Sequence, residues 1–216
     1  MIGIVDYNAG NITSVERALK SLDIKFIRSK NPSDFAECER LIFPGVGEAE
    51  YAMEQLKETG LLDFIKNWAS SKKPLLGICL GSQIIFDFSE EGNVNCLGLI
   101  PGKIMHFNSV WNKSNVTLKV PHMGWNNLSY SNGKCALLND VPENSDFYFV
   151  HSYLIQPENE NVIKASADYG VKVPACIQKE NIYACQFHPE KSGKTGLQIL
   201  KNFCTLPVNE NGELTC

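Results

Sequence analysis

The sequence lacks the excess of basic residues typical of nucleic-acid-binding proteins. It also lacks the long hydrophobic runs typical of membrane proteins. Its 20 Lys and Arg residues are fewer than its 24 Asp and Glu residues, and the formal net charge is -4. Because there is no basic excess or basic run to neutralise phosphates, we expect no nucleic-acid partner. The longest apolar stretches, such as residues 75–81, are far shorter than the roughly 20 residues that span a membrane. We therefore expect no membrane partner.

The sequence also lacks the cysteine and histidine spacings of disulfide-stapled and zinc-bound folds. It has eight cysteines but no CxxC pair, and no two Cys or His residues are spaced as in a zinc finger. The first residues lead directly into an apolar run, without the basic segment and long hydrophobic core of a secretory signal. We expect a cytoplasmic protein without a structural metal, whose cysteines are mostly reduced core residues.

The first half of the sequence alternates short apolar runs with amphipathic stretches. The apolar residues within residues 1–7 run on without alternation, as in a strand that is covered on both faces. The next stretch places apolar residues at helical spacing, namely Ile12, Val15, Leu19 and Leu22. The same alternation continues along the first half, where residues 82–92 are predicted as helix. Repeated β-α-β units predict a mostly parallel sheet with helices on both faces.

The second half of the sequence changes character. From about residue 96 to residue 185, runs rich in Val, Tyr, Phe and Thr are punctuated by Gly, Asn and Pro, which predicts short antiparallel strands. A final helix is predicted over residues 194–204, and the polar residues from about 207 to 216 are expected to be frayed. Because no linker or repeat is visible, we predict one α/β domain over residues 1–216. It has a mostly parallel central sheet flanked by helices and an antiparallel extension.

Cys79 stands between a predicted strand and a predicted helix, with Gly77 and Gly81 on either side. Glycines at these two positions allow a sharp turn and a close approach of the backbone. Such a turn presents the thiol at a helix N-terminus, where amides and dipole favour the reactive thiolate and can donate to an oxyanion. The alternative is a buried cysteine that merely ends a strand, and the paired glycines argue against it. We predict a cysteine nucleophile.

A nucleophilic thiol needs a base and a group that orients the base, and His188 and Glu190 supply both. His188 ends an apolar strand, and Pro189 stiffens the short link to Glu190. Of the other histidines, His106 has no acid close by in sequence and is predicted to be structural or at the surface. For His122 and His151, which stand in the strings PHMGW and FVHSY, both a structural role and a site role are open.

Together these strings resemble the class I (triad) glutamine amidotransferases, in which G-x-C-x-G-x-Q is followed by a distant H-P-E. More narrowly, seven strings resemble in order the glutaminase subunits of imidazole glycerol phosphate synthases: VDYNAGN, FPGVGEAEYAM, GICLGSQIIFDFSEEG, GLIPGKI, VPHMGWN, FYFVHSY and QFHPEKS. The resemblance covers nearly the whole chain, and PGVG and PHMGWN separate these subunits from anthranilate, carbamoyl-phosphate and GMP relatives. It implies a flavodoxin-like fold and hydrolysis of L-glutamine to glutamate and ammonia through a thioester, without a cofactor.

The resemblance implies a role for each matching residue. Cys79 corresponds to the nucleophile, His188 to the base and acid, and Glu190 to the group that orients His188. The amides of Val46 and Leu80 correspond to the oxyanion hole. The glutamine-binding positions match Gly45, Gly47, Gln83, Glu91, His151, Ser152 and Tyr153. Without the resemblance, Glu91 would be read as a solvated acid at the end of a helix.

The resemblance also implies a partner, a (β/α)8-barrel synthase subunit that takes up the ammonia in a heterodimer. That subunit makes imidazole glycerol phosphate and AICAR in histidine biosynthesis. Positions near the interface match Asn11, His122, Met123, Trp125, Tyr148 and Lys191. Two alternatives are open: a paralogue that feeds a related barrel in surface-sugar biosynthesis, and a catalytically silent module that stabilises its partner. Asn8 replaces the usual glycine of the family, and asparagine tolerates the positive φ expected there.

Overall fold

The structure of the protein is a computed structural model that describes residues 1–8, 12–111, 118–133 and 135–215. Its strands are β1 (Ile2–Val5), β2 (Phe26–Ser29), β3 (Arg40–Gly45), β4 (Leu75–Cys79), β5 (Phe88–Ser89), β6 (Val94–Asn95), β7 (Gly102–His106), β8 (His122–Asn127), β9 (Ser129–Tyr130), β10 (Asp146–His151), β11 (Tyr153–Pro157), β12 (Ile163–Asp168), β13 (Lys172–Lys179) and β14 (Ile182–Cys185). Its α-helices are α1 (Ile12–Ser21), α2 (Ala49–Glu58), α3 (Leu61–Ser70), α4 (Leu80–Gln83), α5 (Phe107–Trp111) and α6 (Gly193–Thr205). Short 3-10 helices span Pro32–Phe35, Glu91–Asn93, Ala136–Leu138, Glu160–Val162 and Pro189–Lys191.

The central sheet has eight strands in the order β2-β1-β3-β4-β14-β13-β12-β9. The first five strands in this order are parallel to one another, namely β2, β1, β3, β4 and β14. Each of the last three, β13, β12 and β9, pairs antiparallel. The prediction of a mostly parallel sheet in an α/β fold is therefore confirmed. Much of the antiparallel extension belongs to the same sheet, and the β10-β8 pair and the β11-β7-β5-β6 sheet stand beside it.

Helices cover both faces of the central sheet. One hydrophobic core contains Val15 of α1 and Leu200 of α6, and the other contains Leu56 of α2 and Ile65 of α3. Along β1, Ile4 belongs to the first core and Val5 belongs to the second. Burial on both faces thus explains why the first apolar run shows no alternation. Across the described residues, no helix is long and apolar enough to cross a membrane.

The helix predicted over residues 82–92 is wrong beyond Gln83. Helix α4 ends at Gln83, residues 84–87 form turns, and strand β5 and a 3-10 helix follow. Ile84, Ile85 and Phe86 are all fully buried, so this run is enclosed on every side and has no solvent-facing stripe. The carbonyls of these three residues accept hydrogen bonds from amides of residues 97–100. A long-range backbone pairing therefore replaces the helical one.

The C-terminal segment folds back onto the domain, so the expectation of a frayed tail is wrong for residues 207–215. Val208 and Leu214 form a β-bridge, and Leu214 is buried in the core that contains α6. The Leu214 amide donates to the Tyr183 hydroxyl oxygen at 2.7 Å. These contacts are tertiary, and a polar composition alone does not reveal them.

The carboxyl ends of the parallel strands meet at one edge of the sheet, where ligands bind in open α/β folds. Strand β3 ends at Gly45 and β4 ends at Cys79, and these two residues are paired in register. Strand β14 lies next to β4 and ends three residues before His188. In the loop after β1, Asn8 has φ 66°, which confirms the positive φ expected there.

Candidate active site

Cys79 occupies a strained elbow between strand β4 and helix α4. Its φ of 53° and ψ of -111° lie outside the regions that non-glycine residues favour. A Cβ on Gly81 would lie 1.9 Å from the Phe43 carbonyl oxygen, and one on Gly77 would lie 2.6 Å from the Gly81 carbonyl oxygen. The two glycines are therefore needed because backbones pack closely here. Helix α4 has a single turn, so local amides rather than a long helix dipole act on the thiol.

His188 is buried and makes one strong side-chain contact. Its Nδ1 atom lies 2.7 Å from Oε1 of Glu190, and both side chains are 2% exposed. Burial lowers the pKa of His188, but the neighbouring Cys79 and Glu190 outweigh burial and raise this pKa to about 9. The imidazole therefore keeps its proton to a higher pH than an ordinary histidine.

The Cys79 thiol and the His188 imidazole face the same cavity, and within the described residues no hydrogen bond joins them. The Cys79 Sγ atom lies 3.8 Å from the Val150 carbonyl oxygen, and Nε2 of His188 has no hydrogen-bond partner among the described residues. Because Nδ1 is occupied by Glu190, Nε2 is the nitrogen that can exchange a proton with the thiol or with a substrate.

The backbone around His188 is held by strand β10 and by Ser192. The His188 amide donates to the Tyr148 carbonyl at 2.9 Å, and the Ser192 hydroxyl donates to the His188 carbonyl at 2.6 Å. The same hydroxyl accepts from the Tyr148 amide at 3.0 Å. Ser192 thus joins the two segments and fixes the position from which the imidazole reaches Cys79.

A cavity of about 290 Å³ opens at Cys79. Its lining comprises Val46, Gly47, Cys79, Leu80, Gln83, Glu91, Pro121, Val150, His151, Ser152, Tyr153 and His188. The structure thus brings together most of the residues predicted for the site. Gly45 does not line the cavity and instead stands beside Cys79 in the sheet. Pro121 and Val150 were not predicted, although both stand in the strings that carry the family resemblance.

Gln83 offers the cavity an acceptor rather than a donor. Its Nε2 atom donates to the Tyr153 carbonyl and to Oε1 of Gln186, each at 2.9 Å. A primary amide has two hydrogens, and these two bonds within the protein use both. Only Oε1 of Gln83 therefore remains for a ligand. An ammonium or amide group of a ligand is the suitable partner for this oxygen.

Glu91 is not the solvated acid that its sequence context suggests. Its Oε2 atom accepts a hydrogen bond from the Ala49 amide, the first residue of α2, at 2.9 Å. Burial raises the pKa of Glu91, and the bond from Ala49 acts in the opposite direction. Because one oxygen is fixed in this way, the carboxylate is held at the cavity wall, where it suits a cationic ligand group.

His122 and His151 form a buried, directional hydrogen-bond chain. Nδ1 of His122 lies 3.0 Å from Nε2 of His151, and Nδ1 of His151 lies 2.7 Å from the Tyr153 carbonyl. The Asn126 amide nitrogen lies 3.2 Å from Nε2 of His122. Because that amide can only donate, we assign Nδ1 as the protonated nitrogen of both rings. Burial lowers the pKa of His122 to about 4 and that of His151 to about 3.

The two neutral histidines are expected to make the protein less stable in acid. An unfolded histidine takes up a proton near pH 6.5, whereas the folded His122 does so only near pH 4. Between these values the unfolded state binds more protons, so the free energy of unfolding falls as the pH falls, by about 1.4 kcal/mol per pH unit for each such group. Urea unfolding of the wild type and of His122→Asn at several pH values from 7 to 4 measures this slope. We expect a shallower slope in the variant, and parallel curves would contradict the prediction.

The described residues predicted for a partner interface divide into a patch of exposed and half-buried side chains and one buried member. Met123 and Trp125 alternate along β8 and are 61% and 60% exposed. Trp125 stands 6.1 Å from Tyr148, ring centroid to ring centroid, and Nζ of Lys191 lies 5.9 Å from the centre of the Tyr148 ring. We call Met123, Trp125, Tyr148 and Lys191 the β8 patch. His122 is buried behind it, and the predicted Asn11 lies outside the described residues.

Comparison with known proteins gives a consistent result at the level of sequence. The family model described as glutamine amidotransferase class-I matches residues 3–206. The imidazole glycerol phosphate synthase subunit HisH of Halalkalibacterium halodurans is 45% identical over 204 residues, which are 94% of this chain and 94% of that protein. The subunit of the same name from Geobacillus thermodenitrificans is 45% identical over 214 residues, or 98% of this chain and 99% of that protein.

Solved structures are similar in fold at lower sequence identity. A crystal structure of a glutamine amidotransferase superposes with a TM-score of 0.72 at 18% identity and covers 94% of this chain and 99% of its own. The structure of PurLQS from Thermotoga maritima gives a TM-score of 0.68 at 17% identity and covers 94% of this chain and 96% of its own. At this level of identity the likeness concerns the fold.

Proposed function

The chain belongs to the class-I glutamine amidotransferase family, and from this premise we propose that it hydrolyses L-glutamine with Cys79, His188 and Glu190 as its catalytic triad. The observation that carries the proposal is the arrangement of a strained, cavity-facing Cys79 with a His188 that is bound through Nδ1 to Glu190. In such a triad the acid orients the base and stabilises its charged form, and the base serves the nucleophile.

The reaction proceeds in two halves that balance overall. The Cys79 thiolate attacks the side-chain carbonyl carbon of glutamine, and the protonated His188 gives its Nε2 proton to the amide nitrogen. The carbon–nitrogen bond then breaks, ammonia leaves, and a γ-glutamyl thioester remains on Cys79. The neutral His188 next takes a proton from water as the oxygen attacks the thioester, and the thiolate leaves with the carbon–sulfur bonding electrons. Glutamine and water thus give glutamate and ammonia.

Two backbone amides are proposed to hold the negative oxygen formed at each attack. The Leu80 amide follows Cys79 directly, and the Val46 amide lies on the segment after β3, beside the same cavity. Gly47 has φ 100°, a conformation that favours glycine, and a Cβ there would meet no atom within 4 Å. We propose that the peptides around Val46 rotate in this open space, so that the second donor turns toward the oxyanion.

Glutamine is proposed to lie with its α-ammonium group toward Glu91 and Gln83. The Glu91 carboxylate and the free Oε1 of Gln83 are acceptors at the cavity wall. Backbone groups of Gly47, His151, Ser152 and Tyr153 supply the remaining contacts to the amino acid, and Gly45, which does not line the cavity, is not among them. A cavity of about 290 Å³ suits a ligand of this size.

We further propose that the chain is the glutaminase subunit of an imidazole glycerol phosphate synthase and passes ammonia to a (β/α)8-barrel subunit in histidine biosynthesis. Support comes from relatives named as subunits of that enzyme, which match over nearly the whole chain. The β8 patch supports a protein partner, because two large apolar side chains are exposed on one strand next to the cavity. No observation favours the surface-sugar or silent-module alternatives.

Glutamine turnover is expected to depend on the partner. Because the oxyanion amide of Val46 is proposed to turn inward only in the complex, the isolated chain should be at least about 100-fold slower, the effect of one oxyanion donor. The measurement is glutamate release by the chain alone and with the barrel subunit, with and without the barrel's own ligand. Full turnover by the isolated chain would contradict partner control while leaving the triad intact.

Trp125→Ala tests the β8 patch in the same experiment. The variant is expected to weaken the complex, measured by titration calorimetry, by about tenfold or more. Tyr51→Ala is the matched control, since Tyr51 is an exposed aromatic residue on α2, outside the β8 patch. Equal affinities for the two variants would exclude the β8 patch as the docking surface.

A further inference from the structure

Tyr7 carries a hydroxyl that the fold buries without a hydrogen-bond partner. The side chain is fully buried, and its hydroxyl oxygen has no partner among the described residues. Burial, with a smaller effect from the nearby Cys79, raises the pKa of Tyr7 far above its ordinary value, so the hydroxyl keeps its proton. An unpaired buried donor destabilises a fold compared with a phenylalanine of the same shape. Such a group calls for an explanation outside stability.

The hydroxyl lies against the backbone that leads into the proposed oxyanion segment. A Cβ added to Gly45 would come within 2.3 Å of the Tyr7 hydroxyl oxygen, so only glycine leaves room for that oxygen here. Gly45 pairs with Cys79 in the sheet and directly precedes Val46. The Tyr7 ring packs on Phe43 of the same strand, with ring centroids 5.1 Å apart. Tyr7 does not line the cavity, so its hydroxyl contacts Gly45 from outside the space that a substrate would occupy.

We propose that Tyr7 is a positioning residue for the oxyanion hole, whose hydroxyl donates to the Gly45 carbonyl when the Val46 amide turns toward the substrate. The N–H and C=O groups of one peptide point in opposite directions. Turning the Val46 amide into the cavity therefore turns the Gly45 carbonyl out of the cavity, and the unpaired hydroxyl lies outside the cavity beside Gly45. Tyr7 then supplies the donor that the turned carbonyl needs and satisfies its own hydrogen bond.

This inference rests on the proposed glutaminase function and adds Tyr7 to the residues that control the oxyanion hole. Tyr7 stabilises the active state of the peptide and leaves the resting state unsatisfied. The hydroxyl thus lowers the free energy of the active conformation relative to the resting one. A merely structural tyrosine would have no such asymmetry, and its hydroxyl would be paired in the resting fold.

Tyr7→Phe in the complex with the barrel subunit is the test. We expect kcat for glutamine to fall by roughly tenfold to a hundredfold, with KM unchanged, because the oxyanion donor is less populated while the substrate contacts are kept. The thermal midpoint of the variant should equal or exceed that of the wild type, since no hydrogen bond of the resting fold is lost.

Tyr183→Phe is the matched control, because its hydroxyl is also buried but is paired with the Leu214 amide at 2.7 Å. This variant should have a lower thermal midpoint and an unchanged kcat. Wild-type kcat in the Tyr7→Phe complex would overturn the inference, as would a loss of midpoint like that of the control without a loss of kcat. If the wild-type complex itself releases no glutamate, the proposed function fails. That result is distinct from a failure of the inference, which requires an active wild type.

Discussion

Glutamine turnover by the complex carrying Cys79→Ala is expected to fall by at least about 10⁴-fold, because no thioester can form without the sulfur. The remaining groups can still bind glutamine and stabilise an oxyanion, but water must then attack an unactivated amide directly. Glutamate release by the complex, saturated with glutamine and with the barrel's ligand present, measures the effect. The fold should be unchanged, since alanine keeps the Cβ and removes only a sulfur that makes a long contact of 3.8 Å.

Cys38→Ala is the control for the loss of a thiol as such. Cys38 is also a buried free cysteine, and it belongs to the core on the α2 and α3 side of the sheet. That variant should keep wild-type turnover. If the Cys79→Ala complex retained more than a small fraction of the activity, the triad assignment would be wrong, whatever its partner does.

Glu190→Gln is expected to lower kcat by about 10² to 10⁴-fold while leaving the affinity for glutamine nearly unchanged. The carboxylate accepts from Nδ1 of His188 at 2.7 Å, and an amide at this position can present a donor to the ring and select the wrong tautomer. The change also removes a charge that raises the pKa of His188, which is about 9 in the wild type. The pKa of His188 should therefore fall, and the imidazole should lose its proton at a lower pH.

The pH dependence of kcat/KM separates this role from a structural one. A descending limb set by loss of the His188 proton should move to lower pH in Glu190→Gln. Glu58→Gln, which removes an exposed carboxylate at the end of α2, should leave both the rate and the limb in place. An unchanged limb together with an unchanged kcat would show that Glu190 does not act through His188.

The elements of the parallel sheet could be predicted because their pattern is local. Helices α1, α2 and α3 each bury one stripe, which the spacing of apolar residues records directly. The enclosed strands β1 and β4 show unbroken burial, and their sequences show unbroken apolar character. Where burial comes from all sides, as at Ile84, Ile85 and Phe86, the pattern no longer distinguishes helix from coil, and the helical prediction was wrong.

The site follows the same division between local and long-range information. Cys79 with its glycines, and His188 with Glu190, could be proposed from adjacent residues because each string forms one turn of the backbone. Pro121 and Val150 complete the cavity only because β8 and β10 pair beside it. The role of Glu91 as a fixed acceptor depends on an amide more than forty residues away in sequence. The sequence gives no sign of such contacts between distant segments.

The sequence by itself therefore determined the α/β class, the elbow at Cys79 and the identity of its expected base, since these depend on spacing over a few residues. The tertiary structure alone decided what surrounds them: the chain of buried histidines, the order of the tail and the hydroxyl of Tyr7 beneath Gly45. The physical reason is that burial and hydrogen-bond satisfaction belong to atoms brought together by folding. A residue's type states what it can bond to, and only the fold decides whether that partner is there.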